Sequence, residues 1–169
     1  MFYRFVKKLF SLSVNIFNFL LAGNLPPFVG VRVITEEQGR YLVIESPKDH
    51  FTFPGGFVRW REHPAQAAQR EGKEETGLNL HISDVVGYYS CISTNFRSAS
   101  ALDIVFHGEI LGGELLSSVE GKPNWLDESE VLTKMGPLYG RMLDDYLHHQ
   151  CTARAKLEAV RLVEQKVVN

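Results

Sequence analysis

The stretch that decides the reading of this chain is GGFVRWREHPAQAAQREGKEETGL, Gly55 to Leu78. Its first half is loop-like, with Pro54 just before it and two glycines. Its second half predicts a helix from about Pro64 to Thr76, with Pro64 in the first turn and Gly77 just past the end. Ala65, Ala68 and Gly72 share one face of that helix, and their small size lets another backbone approach closely. The end of the helix is unusual. Glu71, Glu74 and Glu75 stand at i, i+3 and i+4, which places three carboxylates on one face, at about 0.2–0.5 kcal/mol of repulsion per pair. Gly77 puts them near the helix C-terminus, where the dipole also disfavours anions. A divalent cation among them would reverse the sign, since Mg²⁺ takes oxygen ligands, including carboxylates. The alternative is a solvated, charge-rich helix in which Arg70 pairs with Glu74 at i+4.

On the N-terminal side, NLPP (residues 24–27) is a breaker. FVGVRVITEEQGRYLVIES alternates apolar and polar residues on both sides of Gly39, which predicts a two-stranded hairpin. On the C-terminal side, VVGYYSCIS and ALDIVFHGEIL predict strands joined by the polar TNFRSAS. GGELLSSVEGKPNWLDESEV then reads as surface loop with a short strand. Leu138, Met142, Leu143, Tyr146 and Leu147 form one apolar stripe of a late helix, which CTARAKLEAVRLVEQKVV continues or restarts. Interspersed strands and helices predict a mixed sheet covered by helices.

The 169 residues suit one domain with a substantial core. Eighteen basic residues against 20 acidic ones give a net charge near −2, so no global basic field argues for a nucleic-acid partner. Cys91 and Cys151 match no metal or redox spacing and fit a reducing, cytoplasmic compartment as free thiols. Residues 1–24 form a separate N-terminal unit. As a helix they place Arg4, Lys8, Ser11, Asn15 and Asn18 on a narrow polar stripe in an otherwise apolar surface. Three readings stay open for them: a helix packed on the domain or on a second chain, an interfacial membrane helix, or a signal segment. Serines and asparagines inside the apolar run argue against a membrane span.

Taken whole, the opening stretch reads Gly56, five residues, Glu62, seven residues, then Arg70-Glu71, Glu74-Glu75, Gly77 and Leu78. This resembles the signature of the Nudix (MutT-type) hydrolases, G-x5-E-x7-R-E-U-x-E-E-x-G-U, with U a bulky aliphatic residue. One position departs: Gly72 stands where the family has an aliphatic residue, which weakens the helix by about 1 kcal/mol relative to alanine and removes a core side chain. The resemblance implies an α/β/α sandwich (α+β, with a mixed β-sheet between helices) over residues 25–169. It also implies hydrolysis of a diphosphate linkage in a nucleoside diphosphate joined to another group, with Mg²⁺ or Mn²⁺ as cofactor and a small-molecule nucleotide as partner. By the same resemblance Glu71, Glu74, Glu75 and the carbonyl of Gly55 match the metal ligands. Arg70 matches the arginine that orients them, while Gly56, Glu62 and Gly77 match the residues that support the loop–helix–loop. SVEGKPNW resembles the segment that carries a further downstream acid, which points to Glu120, with Glu128 and Glu130 behind it. Glu71 or Glu120 is the expected general base.

Weaker expectations attach to other side chains. Arg59 and Arg61 flank Trp60 beside the box, where they could meet substrate phosphates and a base, or be ordinary surface residues. Tyr88, Tyr89, Phe96 and Arg97 lie where a pocket could be built, although strand aromatics are often core. His148 and His149 read as solvated. A binding module of the same fold, which holds a nucleotide without cleaving it, is the alternative to an enzyme; such modules commonly lose box carboxylates, and this chain keeps them.

Overall fold

A computed structural model describes residues 12–20, 22, 26–47, 50–92 and 100–167, the last fifteen of these by their backbone alone. Helix α1 covers residues 12–20, and the basic Arg4, Lys7 and Lys8 lie outside the described residues. The domain then runs β1 (Phe28–Ile34), β2 (Glu36–Glu37), β3 (Arg40–Ser46), β4 (His50–Thr52), α2 (Pro64–Thr76), β5 (Leu78–Cys91), β6 (Ala101–Gly113), β7 (Lys122–Asp127), α3 (Glu128–Lys134) and α4 (Pro137–Val167).

The strands form two sheets. The mixed one has the order β1-β6-β5, with β1 parallel to β6 and β5 antiparallel to it. The other is antiparallel around β3, which pairs with β2, β4 and β7. This corrects the hairpin expected around Gly39. Only Glu36 and Glu37 fold back on β3. The apolar run before them leaves as β1 and pairs with β6, because Val31 and Val33 are buried on one face and Ile34 on the other, which an outer hairpin strand would leave wet.

Alternation along β1 and β6 divides the core into two layers. Val31, Val33 and Phe106 pack with Leu42, Leu78 and Leu80 beneath Ala67 and Ala68 of α2. Ile34 and Val105 pack with Phe53 beneath Met142, Leu143 and Tyr146 of α4. Helices therefore cover both faces, as the α/β/α expectation requires. The stripe read in the late helix is largely buried, and the helix is continuous rather than restarted.

Helix α2 has the expected limits. His63 caps its start in a reciprocal pair with Gln66, and Gly77, at φ 79°, takes the left-handed cap position with its N–H on the Lys73 carbonyl. Gly72 has a clear packing reason. A Cβ there would stand 2.6 Å from Leu80 Cδ1, so a fully buried leucine of β5 fills the space that an aliphatic residue in the helix would occupy.

Among the described residues no helix is long and apolar enough to cross a membrane. Helix α1 exposes Leu12, Ile16, Phe17, Phe19 and Leu20, so much of its apolar surface is uncovered along its described length.

Replacing Gly72 with alanine sets about 1 kcal/mol of helix propensity against an overpacking cost of about 1–3 kcal/mol. Urea denaturation should show a net loss of about 1 kcal/mol. Combining Gly72→Ala with Leu80→Val should be less damaging than the two single changes added together, since the shortened side chain admits the new methyl; strict additivity would contradict the packing account.

Candidate active site

The site is built on a strap, residues 53–58, that lies along the free edge of β1. Val31 N–H donates to the Gly56 carbonyl at 2.8 Å, Val33 N–H to the Pro54 carbonyl at 2.9 Å, and Val58 N–H to the Val29 carbonyl at 3.0 Å. The approach is too close for a side chain at Gly55, where a Cβ would fall 2.0 Å from the Val31 oxygen at a φ of 157°. At Gly56 a Cβ would fall 2.5 Å from a Glu71 carboxylate oxygen. The strap thus presses its backbone against β1 on one side and against α2 on the other.

Arg70 organises the carboxylates. Its Nε and Nη2 donate to both oxygens of Glu62 at 2.7 and 2.9 Å, and its Nη1 donates to Glu71 at 2.6 Å and to Glu74 at 3.3 Å. A fourth partner, the Phe57 carbonyl, ties the same guanidinium to the strap. The Arg70 hydrogen bonds, with help from the Arg59 N–H, pull the Glu62 carboxyl down to about 2. Glu74 is also held by Arg59 Nη2 at 3.1 Å. The repulsion noted at the helix end is therefore largely neutralised by two arginines, one of them the Arg70–Glu74 pair expected at i+4.

Glu75 is different. It is only 5% exposed and accepts a hydrogen bond from Gly55 N–H at 2.9 Å. Burial pushes its carboxyl up to about 8; the Gly55 bond and the Arg32 charge oppose the rise, while the charge and hydrogen bonding of Glu120 add to it. A glutamate from the turn before β7 thus meets a glutamate from α2, 45 positions earlier in the chain.

The family model for the NUDIX domain matches residues 25–146. The chain belongs to the NUDIX family. Among its relatives, an ADP-ribose pyrophosphatase of Methanocaldococcus jannaschii is 32% identical over 127 residues, 73% of this chain and 75% of the relative. A MutT-like protein of Streptomyces ambofaciens is 33% identical over 125 residues, 70% of this chain and 78% of the relative. The fold is similar to that of a NUDIX hydrolase from Nitrosomonas europaea, with a TM-score of 0.66 at 23% identity over 73% of this chain and 90% of that one. The protein is a Nudix hydrolase.

Around the Nudix box the structure brings together Gly55, Gly56, Glu62, Arg70, Glu71, Glu74, Glu75 and, through Glu75, Glu120. It leaves out Glu128 and Glu130. Glu130 closes the capping box of α3 with Asp127 and pairs with Lys134, and Glu128 stands in the first turn of the same helix. Trp60 is 87% exposed with Arg61 over its ring, so of the three loop residues Arg59 is the one engaged with a box carboxylate. Tyr88 is exposed, Tyr89 donates to Asp145, and Phe96 and Arg97 lie outside the described residues. His148 is exposed as expected, whereas His149 is half-buried with its Nδ1 unpartnered, which corrects the solvated reading for that residue. A surface cavity of about 240 Å³ lined by Tyr41, His107, Tyr146, Gln150 and Cys151 shares no residue with the box.

Sequence reasoning missed Arg32 and Asp103. The signal was present: each is a charged residue inside an apolar strand, in FVGVRVI and ALDIVF, and an ion inside a strand of that kind requires a partner.

The proton on Glu75 has a consequence for stability. The folded chain holds it up to about pH 8, whereas an unfolded glutamate releases it near its ordinary 4.5. The unfolded state then binds fewer protons between those values, so folding stability falls as pH rises across that window. In EDTA, the melting temperature of wild type should decline from about pH 5 to about pH 8 relative to Glu75→Gln; parallel curves for the two proteins would show that Glu75 does not titrate in this window.

Proposed function

We propose that this Nudix hydrolase cleaves the diphosphate linkage of a nucleoside diphosphate joined to a second group, with Mg²⁺ or Mn²⁺ as its cofactor. The observation that carries the reading is the convergence on one end of α2 of Glu71, Glu74 and the buried Glu75, met from a distant loop by Glu120. Like charges gathered in this way raise the free energy of the fold unless protons, arginines or a cation neutralise them.

The donor set suits a hard cation. All the side-chain donors are carboxylates, and one of them is buried with a proton that a cation would displace. Among the described residues no three acidic, histidine or cysteine side chains are already gathered as a metal cage. The Arg70 fork stands among the carboxylates and holds Glu71 and Glu74 in place. Glu71, Glu74, Glu75, Glu120 and the Gly55 carbonyl are the groups that would hold the ion. When bound, it neutralises the diphosphate and lowers the pKa of a water molecule.

The remaining work falls to the chain. Arg70 orients Glu71 and Glu74, and Glu62 orients Arg70 from the strap. Glu75 anchors the strap through the Gly55 N–H. Glu71 or Glu120 would serve as the general base. The name of the Methanocaldococcus relative supports placing ADP-ribose first among the substrates to test.

A panel of ADP-ribose, a nucleotide sugar, a dinucleoside polyphosphate and a nucleoside triphosphate, each with Mg²⁺ and with Mn²⁺, should reveal cleavage of one class. Glu74→Gln should lower kcat by at least about a hundredfold with an unchanged circular dichroism spectrum. An undiminished rate in that variant would overturn the metal-site assignment, and silence of wild type across the panel would overturn the reaction.

A further inference from the structure

Strand alternation sends Val31 and Val33 of β1 to the α2 layer and Arg32 to the opposite face, beneath α4. On the neighbouring parallel strand, Asp103 lies on that same face, opposite Gly30 in the register. The ion pair is close: Arg32 Nε donates to Asp103 Oδ2 at 3.2 Å, and Nη1 donates to the Phe53 carbonyl at 3.3 Å. Gly30 makes the room, since a Cβ there would fall 2.1 Å from Asp103 Oδ1. Cys91 directs its thiol at Asp103 Oδ2, the oxygen that Arg32 holds, 3.8 Å away.

A pair of charges in the interior of a sheet is expensive, and apolar residues of similar volume are often as stable or more so. Arg32 is not fully closed in. Its side chain is 23% exposed against 8% for Asp103, and its Nη2 is bonded to no described residue. Tyr139, in the first turn of α4, packs edge-on against Phe53 with ring centres 5.7 Å apart. Its hydroxyl lies within electrostatic reach of Arg32, Asp103, Cys91 and Glu75 and bonds to no described residue. Two donors, one of them cationic, therefore stand within electrostatic reach of the buried glutamate of the Nudix box. The guanidiniums of Arg59 and Arg70, by contrast, are taken up by box glutamates.

We propose that Arg32 and Tyr139 form a phosphate subsite, in which Nη2 of Arg32 and the Tyr139 hydroxyl donate to oxygens of the substrate diphosphate. Asp103 is a positioning residue, which fixes the plane of the guanidinium so that one edge is spent on the protein and the other is presented outward. The inference rests on the diphosphate reading above. It adds a positive contact to a site whose acidic groups would otherwise repel the anion.

The test is calorimetric titration with ADP in Mg²⁺ buffer, with Mn²⁺ binding followed separately by electron paramagnetic resonance. Tyr139→Phe keeps the ring against Phe53, and Arg32→Lys keeps the charge but loses the fork. Arg32→Lys should weaken ADP about tenfold and Tyr139→Phe about threefold or more, with Mn²⁺ affinity unchanged and the loss in turnover falling on KM rather than kcat. ADP affinities equal to wild type in both folded variants would overturn the subsite. A parallel fall in Mn²⁺ affinity would also overturn it, because Arg32 would then only brace the strap through Phe53. If wild type binds ADP but cleaves no member of the substrate panel, weakened ADP in the variants upholds the subsite while the hydrolase reading fails; no ADP binding by wild type overturns it.

Discussion

One guanidinium group makes this site possible. Arg70 sits on the same helix turn as three glutamates and donates to Glu62, Glu71, Glu74 and the Phe57 carbonyl. Without it α2 would end in uncompensated negative charge beside its own C-terminal dipole. With it, the loop before the helix and the last turns of the helix become one rigid piece, since Glu62 and Phe57 belong to the loop. The bidentate geometry matters as much as the charge, because a lysine would supply a point charge in place of a fork with fixed directions.

Arg70 does not reach every carboxylate. Glu75 is left with a single backbone donor and little solvent, and it relieves the strain by keeping its proton. The two halves of the cluster thus obey different rules: the outer glutamates are neutralised by arginine and the inner one by protonation. Stability and chemistry pull against each other at Glu75, since a glutamine there could accept from Gly55 N–H without burying an ionisable group. Arg32 and Asp103 show the same tension on the opposite face of β1. Such local conflicts with good packing are where function tends to sit.

Much of this was legible in the sequence. The limits of α2, the glutamate cluster, the position of Arg70 among it and the approach of Glu120 to Glu75 follow from spacing and from resemblance to a known signature. The division into two sheets did not, because alternation identifies strands without naming their partners, and β1 pairs with a strand far along the chain. Gly72 looked like a loss of packing in isolation, and only Leu80, arriving from β5, turns it into a fit. Arg32 and Tyr139 escaped notice for the same reason: their meaning comes from what is folded against them. The exposure of α1 could not be read either, since an apolar helix has the same sequence pattern whether or not anything covers it.

The parallel pairing of β1 with β6 has a consequence for how the chain reaches this state. Arg32 and Asp103 are 71 positions apart, and the pairing that joins them encloses α2 and β5. Local segments such as α2 and the β5–β6 pair lie close in sequence, but β1 gains its sheet neighbour β6 only on closure of that long loop. The strap hangs on the outer edge of β1, so the carboxylate cluster is braced by a strand whose sheet partner comes from far along the chain. The backing of the site is therefore among the costlier parts of the fold to close, although the strap and α2 themselves lie close together in sequence.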